Sequence, residues 1–204
     1  MGQAIQAQCK KLTDIQVSDF QAKEFDSNGI SALIDFSSPE GFNIALNFCK
    51  ENKIPFISGT TGLSDKNLKG LSAAKKIIPI LIASNMSLGV ANLKSAIEKY
   101  LISIKRPVKC KIVEIHHTKK KDSPSGTAVE IVKFLENYHA NKIDGLIDVE
   151  SHRIGNIFGI HRVEFKSEEG ITNFQHIASS RDVFAKGALK AARSINSMEI
   201  GEYS

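Results

Sequence analysis

Residues 114–128, which read EIHHTKKKDSPSGTA, combine several kinds of side chain that could do chemistry. The imidazoles of His116 and His117 can exchange protons near neutral pH. Three lysines follow at 119–121, and the run at 123–127 is typical of a helix start, where backbone N–H groups and the helix dipole favour an anion. The segment therefore predicts proton transfer at one end and binding of a carboxylate or phosphate at the other.

The two histidines are expected to have separate roles. On a strand ending at His117, neighbouring side chains point to opposite faces, so His116 and His117 cannot easily chelate one metal ion. The chain contains no second cluster of Cys and His residues that would complete a zinc site. We therefore predict no metal, with one imidazole at a reaction centre and the other gripping the substrate.

The anion site is predicted from the helix start. Ser123 reads as an N-cap with Pro124 at the first helical position, which would place Ser125, Gly126 and Thr127 in the opening turn. Gly126 would let a ligand approach the backbone closely. Each piece taken alone is more often an ordinary solvated loop or a good helix start, but their combination within fifteen residues favours a functional site.

Strands and helices that could position this segment alternate in the first half of the chain. Strands are predicted at residues 14–18, 32–36, 54–58 and 77–83, and helices at 2–12, after the Ser38-Pro39 cap and after Ser64. Phe42, Ala45, Leu46 and Cys49 recur at helical spacing. This alternation indicates a Rossmann-like α/β domain with a parallel sheet.

The second half changes character. A helix at residues 89–101 leads into a strand at 108–117, then the motif and a helix at 124–138. Strand-like runs at residues 149–154, 159–167 and 171–179 are joined by short connections, which predicts a mostly antiparallel, meandering sheet. A closing helix is predicted at 181–196. The domains are expected to span residues 1–87 with 182–204, and 88–181.

Composition narrows the class of protein. The chain has 204 residues, 42% hydrophobic and 24% charged residues, and a net charge of +5, which is normal for a globular protein. Aromatic residues make up only 7% and the lysines are scattered, so a nucleic-acid partner is disfavoured. Three scattered cysteines indicate reduced thiols in the cytoplasm, and no apolar run is long enough to predict a membrane span.

The segment at 114–128 resembles the signature E-x-H-H-x-x-K-x-D-x-P-S-G-T-A of the 4-hydroxy-tetrahydrodipicolinate reductase family, formerly called dihydrodipicolinate reductase. Further blocks resemble the family in the same order along nearly the whole chain. They are residues 35–41, 59–62 and 83–89, Arg153 with Gly155, residues 159–161, 176–181 and 187–188.

The resemblance implies an NADH- or NADPH-dependent reduction of a cyclic dicarboxylate in lysine biosynthesis through diaminopimelate. It assigns acid/base chemistry to His116, proton donation to Lys120, and substrate binding to His117, Ser125, Gly126 and Thr127. The nicotinamide side of the cofactor would be lined by Gly59, Thr60, Thr61, Ala83, Ser84, Asn85 and Met86. It also implies a homotetramer assembled through the sheet of the second domain.

The N-terminal part of the chain, which is predicted to bind the cofactor, departs from the family pattern. The family begins with a strand and a glycine fingerprint close to G-x-x-G-x-M-G, and here only residues 1–5 resemble its tail. We expect the true start to lie upstream of Met1; the alternative is a non-catalytic remnant that binds a dicarboxylate or a partner subunit. Asp19 and Lys23 lie near the position that would select between NADH and NADPH, and the sequence leaves that choice open.

Overall fold

The computed structural model describes residues 1–20 and 28–203. In chain order its elements are α1 (Gly2–Cys9), β1 (Leu33–Asp35), α2 (Pro39–Asn52), β2 (Phe56–Ser58), α3 (Asp65–Ala74), β3 (Pro79–Ile82), α4 (Leu88–Ser103), β4 (Lys109–His116), α5 (Gly126–His139), β5 (Asp148–Arg153), β6 (Ile160–Ser167), β7 (Gly170–Ile177), α6 (Asp182–Ile195) and β8 (Gly201–Tyr203). Two compact units result, one of Met1–Met86 with Phe184–Ser204 and the other of Ser87–Val183.

The first unit contains a four-stranded parallel sheet in the order β1-β2-β3-β8. The connections from β1 to β2 and from β2 to β3 cross through helices α2 and α3, as parallel pairing requires. Its inner strands β2 and β3 are buried or partly buried, with Phe56, Ile57 and Ile80 fully enclosed, whereas the edge strand β8 is partly exposed. The predicted α/β architecture is therefore confirmed, although the sequence did not predict β8.

Local sequence explains why α2 begins where it does. The Ser38 hydroxyl accepts a hydrogen bond from the Gly41 N–H at 3.3 Å, and proline occupies the first helical position. The predicted apolar stripe is buried against the sheet, with Phe42 and Cys49 fully enclosed. The Ser64 cap of α3 is likewise present.

The second unit contains a mixed sheet in the order β5-β4-β6-β7. Both β4–β6 and β6–β7 are antiparallel, so the sheet is mostly antiparallel as predicted. The prediction of an antiparallel meander was wrong at β5, because this strand pairs in parallel with β4. The reason is that α5 lies between β4 and β5 in the chain, and a crossover through a helix returns the next strand in parallel. The Ile154 N–H bond to the His116 carbonyl and the Thr118 N–H bond to the Gly155 carbonyl continue this pairing, and β6 pairs with the opposite edge of β4.

Two further predictions were wrong. Residues 14–18 form no strand, because among the described strands β1 pairs only with β2, and most of the segment is exposed without a partner strand. Ser123 and Pro124 do not begin the helix, since Ser125 is the N-cap of α5 and its hydroxyl accepts the Ala128 N–H. In the described ranges, no helix has the length and apolar character that a membrane crossing needs.

Candidate active site

Strand β4 carries two buried polar residues on one face. Glu114 and His116 are two positions apart, so their side chains point the same way. His161 on β6 pairs across the sheet with Glu114 and shares that face. All three side chains are buried beside the apolar cluster under α4 and α5. The sheet register therefore assembles a polar group that residues 114–128 do not contain by themselves.

The carboxylate of Glu114 is the centre of this group. It accepts hydrogen bonds from His116 Nδ1, from Arg153 Nη2 at 2.9 Å and from the Ser125 N–H at 3.2 Å. Burial alone would raise the pKa of Glu114, but the bonds from His116 and Arg153 outweigh it and lower the pKa to about 2. Glu114 is therefore ionised near neutral pH and fixes His116 with a proton on Nδ1.

The other ring nitrogen of His116 is left for chemistry. A Cβ atom placed on Gly159 would lie only 3.0 Å from Nε2, so glycine keeps space beside this nitrogen. The ring of His161 packs edge-on against that of His116, with centroids 5.1 Å apart. His116 can thus receive or release a proton at Nε2 while Glu114 holds its Nδ1–H.

His161 is a neutral neighbour that the sequence analysis quoted but gave no role. Burial, helped by the charge of His116, lowers the pKa of His161 to about 3. Its Nε2 lies 3.1 Å from the Ser125 hydroxyl, which also accepts the Ala128 N–H at 3.2 Å. The Ser125 hydroxyl therefore joins His161 to the opening turn of α5. The position of His161 two residues after Gly159, on an alternating strand, was the only sequence signal.

Asp122, to which the sequence analysis gave no role, contacts both Lys120 and the start of α5. Asp122 Oδ1 lies 2.9 Å from Lys120 Nζ, and Asp122 Oδ2 accepts the Gly126 N–H at 3.3 Å. Burial would raise the pKa of Asp122, but Lys120 and the Gly126 N–H lower it below its usual value. Arg153 Nη2 donates to the Asp122 carbonyl at 2.5 Å, which links this loop to Glu114.

The remaining predicted substrate residues lie close to these groups along the chain. His117 follows β4 and is half-buried; burial, then the charge of Arg181, lowers its pKa, so this imidazole is neutral near pH 7. Ser125 and Thr127 are buried at the start of α5. The polar groups of Ser125 already bind Glu114, His161 and Ala128, while its role toward substrate stays a prediction.

The group of Glu114, His116 and His161 also has the ligand types that could hold a cation. Glu114, His116 and His161 offer ligand atoms within 4.8 Å of one another. However, the Arg153 guanidinium sits 2.9 Å from Glu114 and would repel a metal ion. The Nε2 atom of His161 is already bonded to the Ser125 hydroxyl. We interpret the group as a proton-handling network, and the absence of a metal stays a prediction.

The residues predicted to line the nicotinamide occupy the first unit. Residues 59–61 follow β2, and residues 83–86 follow β3, which is its parallel neighbour. They therefore leave the sheet at the same edge, the carboxyl ends of the strands, where open α/β sheets bind ligands. The Ala83 N–H donates to the Ser58 carbonyl at 3.0 Å, which ties the second segment to β2.

A buried carboxylate that the sequence analysis quoted within residues 35–41, but gave no role, holds the first of these segments. Asp35 ends β1 and accepts the hydroxyls of Ser37 at 2.5 Å, Ser58 at 2.7 Å and Thr60 at 2.7 Å. The Thr60 hydroxyl in turn accepts the Ser37 N–H at 3.0 Å. Asp35 and Ser58 are register partners of β1 and β2, so strand pairing creates this network.

Comparison with known protein families identifies the family of this chain. Residues 1–86 match the family described as dihydrodipicolinate reductase, N-terminus, and residues 89–204 match its C-terminus. The chain belongs to the dihydrodipicolinate reductase family.

Curated relatives agree with the family assignment. The chain is 37% identical to 4-hydroxy-tetrahydrodipicolinate reductase from Bdellovibrio bacteriovorus, over 93% of this chain and 82% of the relative. It is 40% identical to the enzyme of that name from Campylobacter lari, over 86% and 79%. A dipicolinate-bound dihydrodipicolinate reductase from Paenisporosarcina sp. TG-14 shares the fold, with a TM-score of 0.63 and 19% identity over 84% of this chain and 71% of that one.

The first unit fits the nucleotide that the dihydrodipicolinate reductase family uses. Thr61 is partly accessible and Gly62 is exposed with a φ of 73°, so the turn after β2 presents its backbone at the surface. Segment 83–86 packs against α6, where a Cβ on Gly187 would collide with the Met86 carbonyl at 1.6 Å. Asp19 lies near the end of the first described range, and Lys23 lies outside the described residues.

Proposed function

We propose that this chain catalyses the NAD(P)H-dependent reduction of 4-hydroxy-tetrahydrodipicolinate to tetrahydrodipicolinate, in the diaminopimelate route to lysine. The observation that carries the proposal is the buried Glu114–His116 pair beside Lys120 and the opening turn of α5, in a chain that belongs to this reductase family. These groups suit a dianionic substrate that loses water and gains a hydride and a proton.

Each part of the second unit has a defined task in this proposal. One carboxylate of the substrate binds the N–H groups at the start of α5, and the other contacts His117. Lys120 donates the proton that balances hydride addition to the ring, and His116 exchanges a proton at Nε2 while Glu114 holds Nδ1. The hydroxyl group leaves the ring as water together with a proton from the adjacent ring carbon, and the double bond formed by this elimination is the one that the hydride and the Lys120 proton then reduce. Reduced nicotinamide supplies the hydride when bound.

The first unit is proposed as the nucleotide-binding domain and the second as the substrate-binding and oligomerisation domain. Residues Gly59, Thr60 and Thr61, with Ala83, Ser84, Asn85 and Met86, would contact the nicotinamide side, and Asp35 would keep Thr60 in place. Both NADH and NADPH are candidates. Three buried, unpaired cysteines, Cys9, Cys49 and Cys110, support a reducing compartment such as the cytoplasm.

The test is a coupled assay that generates the unstable substrate in situ and follows oxidation of NADH or NADPH. We expect turnover with at least one nucleotide and its inhibition by pyridine-2,6-dicarboxylate. Absence of both turnover and calorimetric binding of either reduced nucleotide would leave the non-catalytic remnant as the better reading. Nucleotide binding at ordinary micromolar affinity would remove the remnant.

We also propose a homotetramer formed through the outer face of the second sheet. This face alternates charges of both signs, such as Lys111 2.5 Å from Glu150 and Arg162 2.9 Å from Glu164, and carries exposed isoleucines on the edge strand β7. A second copy of the same face could pair with it and cover the β7 edge. Light scattering tests it: we expect four copies for the wild-type chain and a smaller assembly for Ile171→Lys combined with Ile177→Lys.

A further inference from the structure

Two groups of the proposed site, the proton donor Lys120 and the substrate-binding Gly126 N–H, already hold a carboxylate of the chain itself. The Asp122 carboxylate bridges them, with Oδ1 2.9 Å from Lys120 Nζ and Oδ2 3.3 Å from the Gly126 N. A substrate carboxylate arriving at the start of α5 therefore meets an N–H group and an ammonium group that are already engaged.

We propose that Asp122 is an internal occupant of the substrate's anion site, and that the substrate must displace its side chain in order to bind. The inference rests on the proposed function, since it needs a dicarboxylate as ligand. In this role Asp122 lowers the affinity for the substrate, and it selects for ligands that bring a full negative charge.

The attachment of the loop makes such a displacement possible without refolding. Arg153 Nη2 donates to the Asp122 carbonyl at 2.5 Å and to Glu114 Oε1 at 2.9 Å, so the backbone at residue 122 is fixed to buried structure. The Asp122 side chain is 38% exposed, in contrast to that of Glu114, which is fully buried. Rotation about its own side-chain bonds can therefore carry the carboxylate into water while the backbone stays in place.

Charge explains why the ligand must be an anion. Two carboxylates that shared the Gly126 N–H and the Lys120 ammonium would repel each other, so one of them has to leave. A neutral ligand would not replace Asp122, because it carries no negative charge to pair with the Lys120 ammonium group. After its displacement, the Asp122 carboxylate stays near the bound substrate and repels it. This repulsion contributes to the weaker substrate affinity that we expect for the wild-type chain.

The experiment is calorimetric titration of pyridine-2,6-dicarboxylate into the full chain saturated with reduced nucleotide. The variant Asp122→Asn keeps the shape and removes the charge, and Asp122→Ala removes the occupant. Glu168→Gln is the matched control, because Glu168 lies in the same unit and its ion pair with Arg106 is almost wholly exposed. We expect Asp122→Asn to lower Kd by about 5-fold or more, Asp122→Ala to lower it at least as far, and Glu168→Gln to leave it unchanged.

Equal or weaker binding by both Asp122 variants overturns the inference and makes Asp122 a residue that positions Lys120. Tightening by Glu168→Gln to the same degree also overturns it, since the effect would then come from net charge alone. If none of the proteins binds the dicarboxylate, the proposed substrate class itself is wrong.

A second measurement uses only the wild-type chain and so does not depend on a variant's folding. In a nitrogen-15 spectrum, the Gly126 amide should shift on titration with pyridine-2,6-dicarboxylate, because its acceptor changes from Asp122 to the ligand. An unmoved Gly126 resonance at saturation would contradict displacement while leaving the reductase assignment intact.

Discussion

The two units stabilise their loops with different chemistry. In the second unit, the ionised Glu114 binds an imidazole, a guanidinium and a backbone N–H. In the first unit, the carboxylate of Asp35 is surrounded by hydroxyl groups, and no basic side chain among the described residues is recorded within ion-pair distance of it. The Glu114 network includes His116, which we propose to transfer protons, whereas the Asp35 network joins one carboxylate to hydroxyl groups that position the ends of β1 and β2.

This difference matches the tasks that we propose for the units. Proton donation to a dianionic substrate needs groups whose charge can change, and His116 and Lys120 provide them. A nicotinamide ring needs a fixed surface at the carboxyl edge of the sheet, and Thr60 is held for that purpose by Asp35. The comparison therefore predicts that damage to the second unit mainly lowers turnover, and that damage to the first unit mainly weakens cofactor binding.

The largest expected effect is on turnover. His116→Ala and Lys120→Ala should each lower kcat by roughly 10²–10⁴-fold, because each removes a proton-transfer group. Steady-state assays measure this, with circular dichroism to verify folding. Lys121→Ala is the matched control, since it removes a neighbouring lysine that has no assigned role. Near-normal turnover in both test variants would remove these residues from the mechanism.

The next effect concerns stability. Glu114→Gln leaves Arg153 without its buried counter-charge and should lower the free energy of unfolding by about 3 kcal/mol at pH 7. Because the folded pKa of Glu114 is lowered to about 2, its contribution is present above the ordinary value of 4.5 and is lost as the pH falls toward 2.

Denaturant titrations at several pH values between 4.5 and 2 test this. The wild-type chain should lose more stability over that range than Glu114→Gln does. Glu150→Gln is a control for the loss of a carboxylate, because its ion pair with Lys111 is half-exposed and should matter far less. Parallel pH profiles for wild type and Glu114→Gln would show that Glu114 has no depressed pKa.

A smaller effect is expected in the first unit. Asp35→Asn offers one oxygen in place of two and leaves buried hydroxyls competing for it, so unfolding should become easier by about 1.5–3 kcal/mol. We expect KM for the reduced nucleotide to rise with little change in kcat. Ser37→Ala removes one donor only and should have a weaker effect. A fall in kcat with an unchanged nucleotide KM would contradict the division of tasks.

The smallest effects compare two helix caps. Ser38→Ala removes an exposed cap of α2 and should reduce the free energy of unfolding by about 1 kcal/mol with activity retained. Ser125→Ala removes the buried cap of α5 and also the partner of His161 Nε2, so it should reduce stability further, by about 1–3 kcal/mol. Thermal unfolding measures both, and equal losses would mean that the His161 contact contributes nothing.

Much of the architecture could be predicted because its signals are local. Helix α2 was recognised from Ser38, Pro39 and the apolar spacing that follows, all of which lie within one stretch of chain. The parallel position of β5 was missed because the short connections among the last three strands suggested a meander, whereas β5 returns to β4 through helix α5. The start of α5 was predicted two residues early, because Ser123 and Ser125 are equally suitable N-caps by residue type and the sequence does not distinguish them.

The sequence by itself determined which residues could do chemistry. His116, Lys120 and the turn at 125–127 lie within twelve positions, so their spacing was visible without a structure. Only the tertiary structure decided what controls them, because Arg153 and His161 reach Glu114 and Ser125 through the sheet register and Asp35 reaches Thr60 through parallel pairing. Partners distant in sequence leave no local pattern, and folding alone brings them within hydrogen-bond distance.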